Sequence, residues 1–250
     1  MPIPVSALKN LLLLAHLPQV TVEHLAQQAT GQWFSKREVV LHKGHHATHF
    51  CFLIEGRLQG VVYTHEGKDV GLYFVNPGDY FGDVAIIDNR PHPEFVTAVA
   101  KSLVVLIPKD LIKPVLFAAP KIAEVLCQRL AWRIRISAAQ RGILGLPSPL
   151  QRVCAQLLLL LPPVMPNPPA IANAPTHQEL GIMINATRET VTRAFQLLLA
   201  RGVVERDGNN LLILNLASME QIAQGKFDLN SSAEPATAPA AALTALTDDD

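Results

Sequence analysis

The chain has 250 residues, of which 49% are apolar and 17% charged, and its 21 basic side chains balance its 21 acidic ones. That length suffices for two modest domains, and the apolar fraction excludes wholesale disorder. The zero net charge excludes a polycation that coats nucleic acid or membranes without specificity, although it allows a local basic surface. No apolar run has the length of a membrane span, and the start lacks the pattern of a secretory signal. Because Cys51, Cys127 and Cys154 form no CxxC pair, we expect a reducing, cytoplasmic location.

Residues 1–118 are predicted to form one domain, a helical segment followed by a β-roll. Apolar residues recur at helical spacing from about Val5 to Gly31, with a break at Pro18. From Trp33 to Leu106, short apolar runs closed by glycine or proline predict antiparallel strands of the jelly-roll kind. The glycines expected at the corners of this roll, where positive φ or a close backbone approach is needed, are Gly56, Gly60, Gly78 and Gly82.

Residues 119–146 are predicted to form a long helix that pairs with its own copy. Between Lys121 and Leu144 a narrow seam recurs every three or four residues, which is typical of a helix in a coiled-coil dimer. The seam residues are Ala123, Cys127, Leu130, Ile134, Ser137, Arg141 and Leu144. We expect a homodimer through this seam. The residues expected to break the helix and provide a hinge are Gly142, Gly145, Pro147 and Pro149.

Residues 147–228 are predicted to contain two helices separated by a tight turn, followed by a hairpin. Thr176 and Glu179 make a capping box at the start of the first helix, and Gly181 is expected to let another helix approach closely. Asn185 suits a left-handed turn, and Thr187 caps a second helix that runs from Arg188 to Ala200. The segment VVERDGNNLLIL then predicts a strand, an Asp-Gly turn and a strand. This order is that of a winged helix-turn-helix.

The start of the second helix carries the residues expected to read DNA, because arginine can bond guanine in bidentate fashion and glutamate can accept a hydrogen bond from cytosine. The predicted DNA-contacting residues are Thr176, Gln178, Thr187, Arg188, Glu189, Thr192 and Arg193. The alternative is a small helical domain in which Glu189 and Arg193 form a solvated pair. The region from Pro147 to Asp228 holds six basic and six acidic residues. Phosphate binding is therefore expected to depend on helix N-termini, hydroxyls and a few arginines, with modest non-specific affinity.

The order of β-roll, long helix, hinge and winged helix-turn-helix resembles the cAMP receptor protein/FNR family of bacterial transcription regulators. The resemblance covers roughly residues 8–228 and is strongest in HQELG…TRETVTR and NPGDYFGDVAIID. It implies an α+β fold with a cyclic-nucleotide-binding-like β-roll, and a homodimer whose Arg188, Glu189 and Arg193 read a TGTGA-like palindrome. It also implies that an effector acts through the hinge, and that the loop from Leu161 to Pro175 contacts RNA polymerase.

The resemblance also locates the effector pocket, in which the family holds phosphate with backbone amides after a Gly-Glu pair and with a later Arg-Ser pair. This chain has Gly82-Asp83 at the first place and His92-Pro93 or Pro93-Glu94 at the second. Neither proline nor a neutral imidazole replaces a guanidinium, and Glu94 would repel phosphate. Cyclic AMP bound in the family's usual way is therefore disfavoured. The candidate effector-binding residues are Gly82, Asp83, Val84, Arg90, His92 and Ser137.

The same residues bear on other ligands and on an enzymatic role. An iron–sulfur cluster of the FNR kind needs cysteines near the N-terminus, and the family's haem ligands fall where this chain has Phe81 to Val84, so neither an iron–sulfur cluster nor haem held in that way is expected. A loop with His42, His45, His46 and His49 could ligate metal or haem, as in a cupin-like metalloenzyme, but crowding in one loop favours a solvated turn. A haem or metal sensor, a cyclic-dinucleotide sensor, an apolar metabolite and a ligand-free roll stay open, and no enzyme is expected. Cys127 and Cys154 are expected to be buried thiols, and residues 229–250 a disordered tail.

Overall fold

The computed structural model describes residues 1–64 and 69–226. The predicted tail at 229–250 therefore lies outside the described residues. The described part contains a two-sheet β-roll, a long helix and a small domain of helices with a three-stranded sheet. In that part of the chain, no helix is long and apolar enough to cross a membrane.

Two short helices, α1 (Val5–Lys9) and α2 (Gln19–Gln28), precede the roll. Pro18 directly precedes α2, but α1 already ends at Lys9, so the predicted break at Pro18 is the end of a longer non-helical segment at 10–18. Most of their apolar residues join the core cluster that underlies the first sheet. Leu12 is an exception, because it lies in the turn between the helices and is 68% exposed. The helical interpretation also extends too far, since the first strand already begins at Thr30.

Eight strands form the roll as two antiparallel four-stranded sheets, which confirms the predicted jelly-roll architecture. The first sheet has the order β1-β8-β3-β6 and the second β2-β7-β4-β5. The short helix α3 (Asp83–Ile87) follows β6, and α4 (Lys109–Ala118) follows β8; the sequence pattern predicted neither. The strands are β1 (Thr30–Phe34), β2 (Val39–Leu41), β3 (His49–Glu55), β4 (Leu58–Tyr63), β5 (Asp69–Val75), β6 (Tyr80–Phe81), β7 (Phe95–Ala98) and β8 (Ser102–Pro108).

Glycine is required at the predicted corners for two different reasons. Gly56, Gly78 and Gly82 have φ of +91°, +89° and +76°, a region that side chains with a Cβ rarely adopt. At Gly60 the reason is space, because a Cβ there would lie 2.7 Å from the ring of Tyr73. Gly60 therefore lets an aromatic side chain lie flat across β4, inside the roll.

The long helix, α5 (Pro120–Leu144), has 25 residues and matches the predicted bounds to within one residue. Ile122 and Leu126 are buried on the side that faces the roll. Of the four predicted hinge residues, Gly145 and Pro147 lie in the break, whereas Gly142 is inside the helix and Pro149 begins the next one. The break is therefore the four-residue connector 145–148.

The C-terminal domain packs its helices around one apolar core beside a three-stranded sheet of order β10-β11-β9. The second predicted helix and the wing are confirmed at their predicted positions. The proline-rich segment, interpreted as a loop, contains the short strand β9, and the last helix was not predicted. The elements are α6 (Pro149–Leu159), β9 (Ala170–Ile171), α7 (His177–Ile184), α8 (Arg188–Ala200), β10 (Val204–Asp207), β11 (Asn210–Ile213) and α9 (Leu216–Ala223).

Substitution of Gly56 by alanine should destabilise the roll more than the same change at Gly78. Both positions have positive φ, which costs a residue with a Cβ about 1–2 kcal/mol. At Gly56 a Cβ would also collide with the backbone carbonyl oxygen of Lys101 and with Ser102, whereas at Gly78 nothing lies within 4 Å. We expect Gly56→Ala to lower the free energy of unfolding by roughly 1–3 kcal/mol more than Gly78→Ala. Equal urea-unfolding curves for the two variants would contradict this packing.

Candidate nucleic-acid interface and sensor pocket

The two helices of the predicted motif are bounded by their capping residues, Thr176 at the start of α7 and Thr187 at the start of α8, with Asn185 in the turn between them. The Thr176 hydroxyl accepts from the Glu179 N–H (3.3 Å), and the Glu179 carboxylate accepts from the Thr176 N–H (2.9 Å). Asn185 has φ 50° and ψ 57°, the left-handed conformation expected of it. The Thr187 hydroxyl accepts from the Thr190 N–H and so caps α8. These local bonds fix the direction in which α8 leaves the turn.

Gly181 has a different role from the one predicted. A Cβ on Gly181 would lie 2.6 Å from the carbonyl oxygen of Ala186, which belongs to the α7–α8 turn and not to another helix. The Ala186 N–H also donates to the Gly181 carbonyl (2.9 Å). The glycine therefore allows the turn to fold back tightly onto α7.

The first two turns of α8 present charged side chains to solvent. Arg188, Glu189 and Arg193 are exposed, and with Thr192 and Gln196 they line an open surface groove of about 420 Å³. The pKa of Glu189 is lowered by a hydrogen bond to its own backbone N–H and by the Thr187 hydroxyl. Glu189 is therefore an ionised acceptor between two guanidinium donors. This combination can recognise both acceptor and donor groups on base edges.

Thr192 is less available than the sequence pattern suggested. Its hydroxyl donates to the Arg188 carbonyl oxygen (2.9 Å) and lies 2.9 Å from Nδ1 of His177. The His177 ring in turn packs on Phe195, with 4.5 Å between the ring centroids. Thr192 thus ties α8 to the start of α7, where Gln178 is exposed.

The C-terminal domain contacts the roll directly, which the sequence did not predict. Gln140 of α5 donates to the carbonyl oxygen of Met183 (2.6 Å), and Arg57 of the roll donates to the carbonyl oxygen of Asn173 (2.6 Å). A cleft of about 670 Å³ separates the two domains on one side. The roll residues in it include Lys36 and Arg37, and the facing residues include Thr176, Gln178 and Arg188. The N-terminal end of α8 therefore lies next to the roll.

Four polar side chains at the contact between the roll and α5 are linked to one another. The Arg133 guanidinium of α5 forms an ion pair with the buried carboxylate of Asp83 (2.7 Å). The same guanidinium lies over the ring of Tyr73, 4.6 Å from its centroid. The Tyr73 hydroxyl then donates to the Glu94 carboxylate (2.6 Å). These residues, Asp83, Arg133, Tyr73 and Glu94, are called the pocket network below.

Burial and neighbouring charges have opposite effects on the pKa values of Glu94 and Arg133 in the pocket network. Burial raises the pKa of Glu94, although the Tyr73 hydroxyl and Arg133 oppose that rise. Burial also lowers the pKa of Arg133, but Asp83, Tyr73 and Glu94 together outweigh it and the net shift is upward. Arg133 is thus a permanent cation that a buried carboxylate holds in place. Arg133 and Tyr73 were not among the predicted effector residues. The signal that could have identified Arg133 is the pair of basic residues, Arg129 and Arg133, on the side of α5 that faces the roll.

The predicted effector residues are only partly brought together. Gly82 and Asp83 begin α3 inside the roll, and buried His92 has its Cε1 atom 3.5 Å from where a Cβ on Gly82 would stand. Burial, and secondarily His45, lowers the pKa of His92, which favours the neutral ring. Val84 is partly buried, whereas Arg90 and Ser137 are exposed.

The residues present do not fit a cyclic nucleotide. At Glu94, one of the two alternatives for the family's phosphate-holding pair, the buried carboxylate is hydrogen-bonded to Tyr73, whose ring covers Gly60. The one guanidinium in the network is already paired with Asp83. A phosphate placed there would face two carboxylates and no unpaired guanidinium of this network.

The predicted seam of α5 is largely exposed in the single chain. Ile134 is 70% and Leu144 38% exposed, and Leu130 is partly buried. Cys127, Ser137 and Arg141 are also exposed, so burial of the Cys127 thiol depends on a second copy. An apolar stripe of this length on a single chain is typical of a helix that pairs with another.

The histidine loop adjoins a shallow polar cleft of about 370 Å³ at one end of the roll. His42, His45 and His46 are exposed, and the His42 and His45 rings stack with 5.2 Å between their centroids. Among the described residues, no three His, Cys, Asp or Glu side chains are placed to hold a metal ion. Buried Cys51 borders the same cleft, and burial raises the pKa of its thiol to about 12.

Comparisons with known proteins match both domains. The model of the Cyclic nucleotide-binding domain matches residues 32–118, and that of the Crp-like helix-turn-helix domain residues 151–222. The cAMP-activated global transcriptional regulator CRP of Salmonella typhimurium is 22% identical over 183 residues, covering 72% of this chain and 87% of the relative. FixK2 from Bradyrhizobium japonicum superposes with a TM-score of 0.66 at 20% identity, over 78% of this chain and 96% of that one. A CooA variant from Carboxydothermus hydrogenoformans superposes with a TM-score of 0.68 at 17% identity, over 86% of this chain and 95% of that one.

Loss of the Arg133 side chain should destabilise the protein strongly. Arg133→Ala leaves the buried Asp83 carboxylate without its ion-pair partner, and breaking a buried pair in this way costs about 3–5 kcal/mol. Arg135→Ala removes the same charge from an exposed position on the same helix and should change stability by less than about 0.5 kcal/mol. The free energy of unfolding in urea distinguishes them, and equal values would show that the ion pair contributes nothing.

Proposed function

The chain belongs to the CRP/FNR family of DNA-binding transcription regulators, and we propose that it acts as a homodimer that binds a palindromic DNA site. Its curated relatives are transcription regulators and not enzymes. The observation that carries the proposal is the exposed start of α8, where Arg188, Glu189 and Arg193 surround an open groove.

In this proposal α8 is the recognition helix, and its N-terminal turns enter the major groove first. There Arg188 and Arg193 donate to guanine, and Glu189 accepts from cytosine, which is the pattern of a TGTGA-like half-site. Thr176, Gln178 and Thr187 lie at the N-termini of α7 and α8, where hydroxyl, amide and backbone N–H groups meet phosphates. Thr192 acts by holding α8 against α7 through His177.

A second copy of the chain supplies the second half-site. Its α5 pairs with the exposed apolar stripe that contains Leu130, Ile134 and Leu144. Because the C-terminal domain carries little net positive charge, the affinity of one copy is low, and two linked reading helices raise it. The proline-rich loop from Leu161 to Pro175, with exposed Val164 and Met165, is the proposed contact with RNA polymerase.

The roll gates this activity through an effector that is not cyclic AMP bound in the family's usual way. Gly82, Asp83 and His92 would contribute to the effector site from the roll, and Ser137 is exposed on the seam of α5, where it would be available to the roll of a second copy. One relative, from Xanthomonas campestris, is described as a c-di-GMP responsive regulator, so the fold accommodates other ligands. The pocket network favours a second candidate, a regulator without an external effector, because Arg133 already partners Asp83.

Replacement of Arg188 should weaken specific DNA binding. We expect Arg188→Ala to lose about 1–3 kcal/mol of discrimination for each half-site, because a bidentate contact to guanine is removed. Arg201→Ala removes the same charge at the opposite end of α8 and should leave that discrimination unchanged. Gel shifts on a TGTGA-type palindrome and on a scrambled duplex provide the measurement. An unchanged ratio for Arg188→Ala would exclude the assigned contact.

A charge in the seam should separate the copies. Ile134→Asp places a carboxylate in the apolar stripe, and pairing would bury two such charges without partners. Ala139→Asp is the control, since Ala139 is also exposed and lies about 140° around α5 from Ile134. Sedimentation equilibrium should find monomers for the first variant and dimers for the second. Dimers in both would place the interface elsewhere.

A further inference from the structure

A second cleft lies between the roll and the C-terminal domain, and positive charge predominates in it. It has a volume of about 670 Å³ and is lined by residues of both domains. Its cations are Lys36, Arg57 and Arg206, and Glu179 is the one carboxylate among its lining residues. None of the three cations forms an ion pair with a carboxylate of the described residues. This space is called the basic cleft below.

Arg57 is the cation in the basic cleft that most needs an anionic partner. Its guanidinium is half-buried, 4.3 Å from the centroid of the Phe74 ring, and donates to the carbonyl oxygen of Asn173. Its Nε is buried and has no hydrogen-bond partner among the described residues. Burial lowers the pKa of Arg57, and the charge of Glu179 opposes this without cancelling it. A half-buried guanidinium with an unused donor is stabilised by an anionic acceptor.

A neighbouring imidazole responds to the same positive charge. His177 lines the basic cleft, and its pKa is lowered by burial and then by Arg206 and Arg188. The neutral ring is favoured because a proton would add positive charge where cations already predominate. An occupant that suits this cleft therefore supplies negative charge.

The chain carries such an anion outside the described residues. Residues 1–226 contain all 21 basic residues against 16 acidic ones, whereas residues 227–250 contain five acidic residues and no basic one. We call residues 227–250 the acidic segment; its acidic residues are Asp228, Glu234, Asp248, Asp249 and Asp250. The zero net charge of the whole chain thus combines a positive part with a negative one.

The acidic segment is long enough to reach the basic cleft. At full extension the chain from Lys226 to Asp248 spans about 70–80 Å. A compact chain of the size of the described part has a radius of gyration of about 17 Å. The three consecutive aspartates can therefore meet any face of their own subunit, and the covalent connection gives them a high effective concentration there.

We propose that the basic cleft is the docking site of the acidic segment. The aspartates Asp248–Asp250 pair with the three cations of the cleft, and one carboxylate accepts from the unused Nε of Arg57. Thr176, a proposed phosphate contact, lines the same cleft, so the docked carboxylates repel an approaching DNA backbone. The segment thereby lowers the affinity of the chain for DNA. This consequence rests on the proposed function, whereas the docking does not.

Carbodiimide cross-linking of the full chain, followed by mass spectrometry, tests the docking without DNA. The reagent joins a carboxylate to a lysine amine that lies against it. The acidic segment should be joined to Lys36 about fivefold more than to Lys43, an exposed lysine of the histidine loop. Arg57→Gln and Arg206→Gln should each remove this excess. Arg135→Gln, which removes an exposed charge from α5 outside the cleft, should keep it.

Equal yields at Lys36 and Lys43 overturn the proposal, and so does an excess at Lys36 that survives Arg206→Gln. Because Arg206 is exposed, its variant tests the cleft even where Arg57→Gln does not fold. Titration with inorganic phosphate distinguishes a free anion from the segment. Phosphate binding that depends on Arg206, in a chain with no excess at Lys36, assigns the cleft to a free anion and overturns the docking.

Gel shifts on a scrambled duplex test the consequence for DNA. The full chain with Asp248→Asn, Asp249→Asn and Asp250→Asn should bind about threefold more tightly in the Arg135→Gln background and show no gain in the Arg206→Gln background. Equal gains in both backgrounds would reduce the effect to net charge and contradict competition through the cleft. A cross-link excess without a gain in DNA binding supports the docking and contradicts its consequence. Failure of every variant to bind any duplex contradicts the proposed function alone.

Discussion

The ion pair between Arg133 and Asp83 connects the parts of this molecule. Asp83 is placed inside the roll because Gly82 adopts a positive φ and starts α3 there. Arg133 lies in the middle of α5, and this helix has two further features. Towards the C-terminus, Gln140 bonds the carbonyl oxygen of Met183 in α7, and on its outer side α5 exposes the apolar stripe around Ile134. The pair therefore anchors to the roll the same helix that carries the proposed dimer seam and that contacts the C-terminal domain.

Local sequence signals made the C-terminal domain predictable. The capping box at Thr176, the left-handed Asn185 and the Thr187 cap act within a few residues, so the bounds of α8 and the wing followed without knowledge of the rest of the chain. The glycines of the roll were recognisable for the same reason. By contrast β9, which pairs with β11 some forty residues later, was hidden in a proline-rich segment because pairing over that distance leaves no local pattern.

The sensor pocket was only half predictable, again for a physical reason. The sequence showed that Pro93 and Glu94 cannot hold a phosphate, since that follows from residue type. It did not show that Arg133, fifty residues beyond Asp83, meets that carboxylate, or that Tyr73 lies across Gly60 and reaches Glu94. The role of Gly181 was misjudged in the same way, because the neighbour that excludes a Cβ is the carbonyl of Ala186 in the next turn.

Binding by a symmetric pair of reading helices is the central claim, because a domain with balanced charge gains little from phosphates alone. Hydroxyl-radical footprinting of the full chain on a TGTGA-type palindrome tests it most directly. We expect two equivalent protected stretches whose centres are about 10–10.5 base pairs apart, or a multiple of that spacing, as two copies of α8 in successive major grooves require. A single protected stretch, or uniform protection that ignores the palindrome, would contradict it.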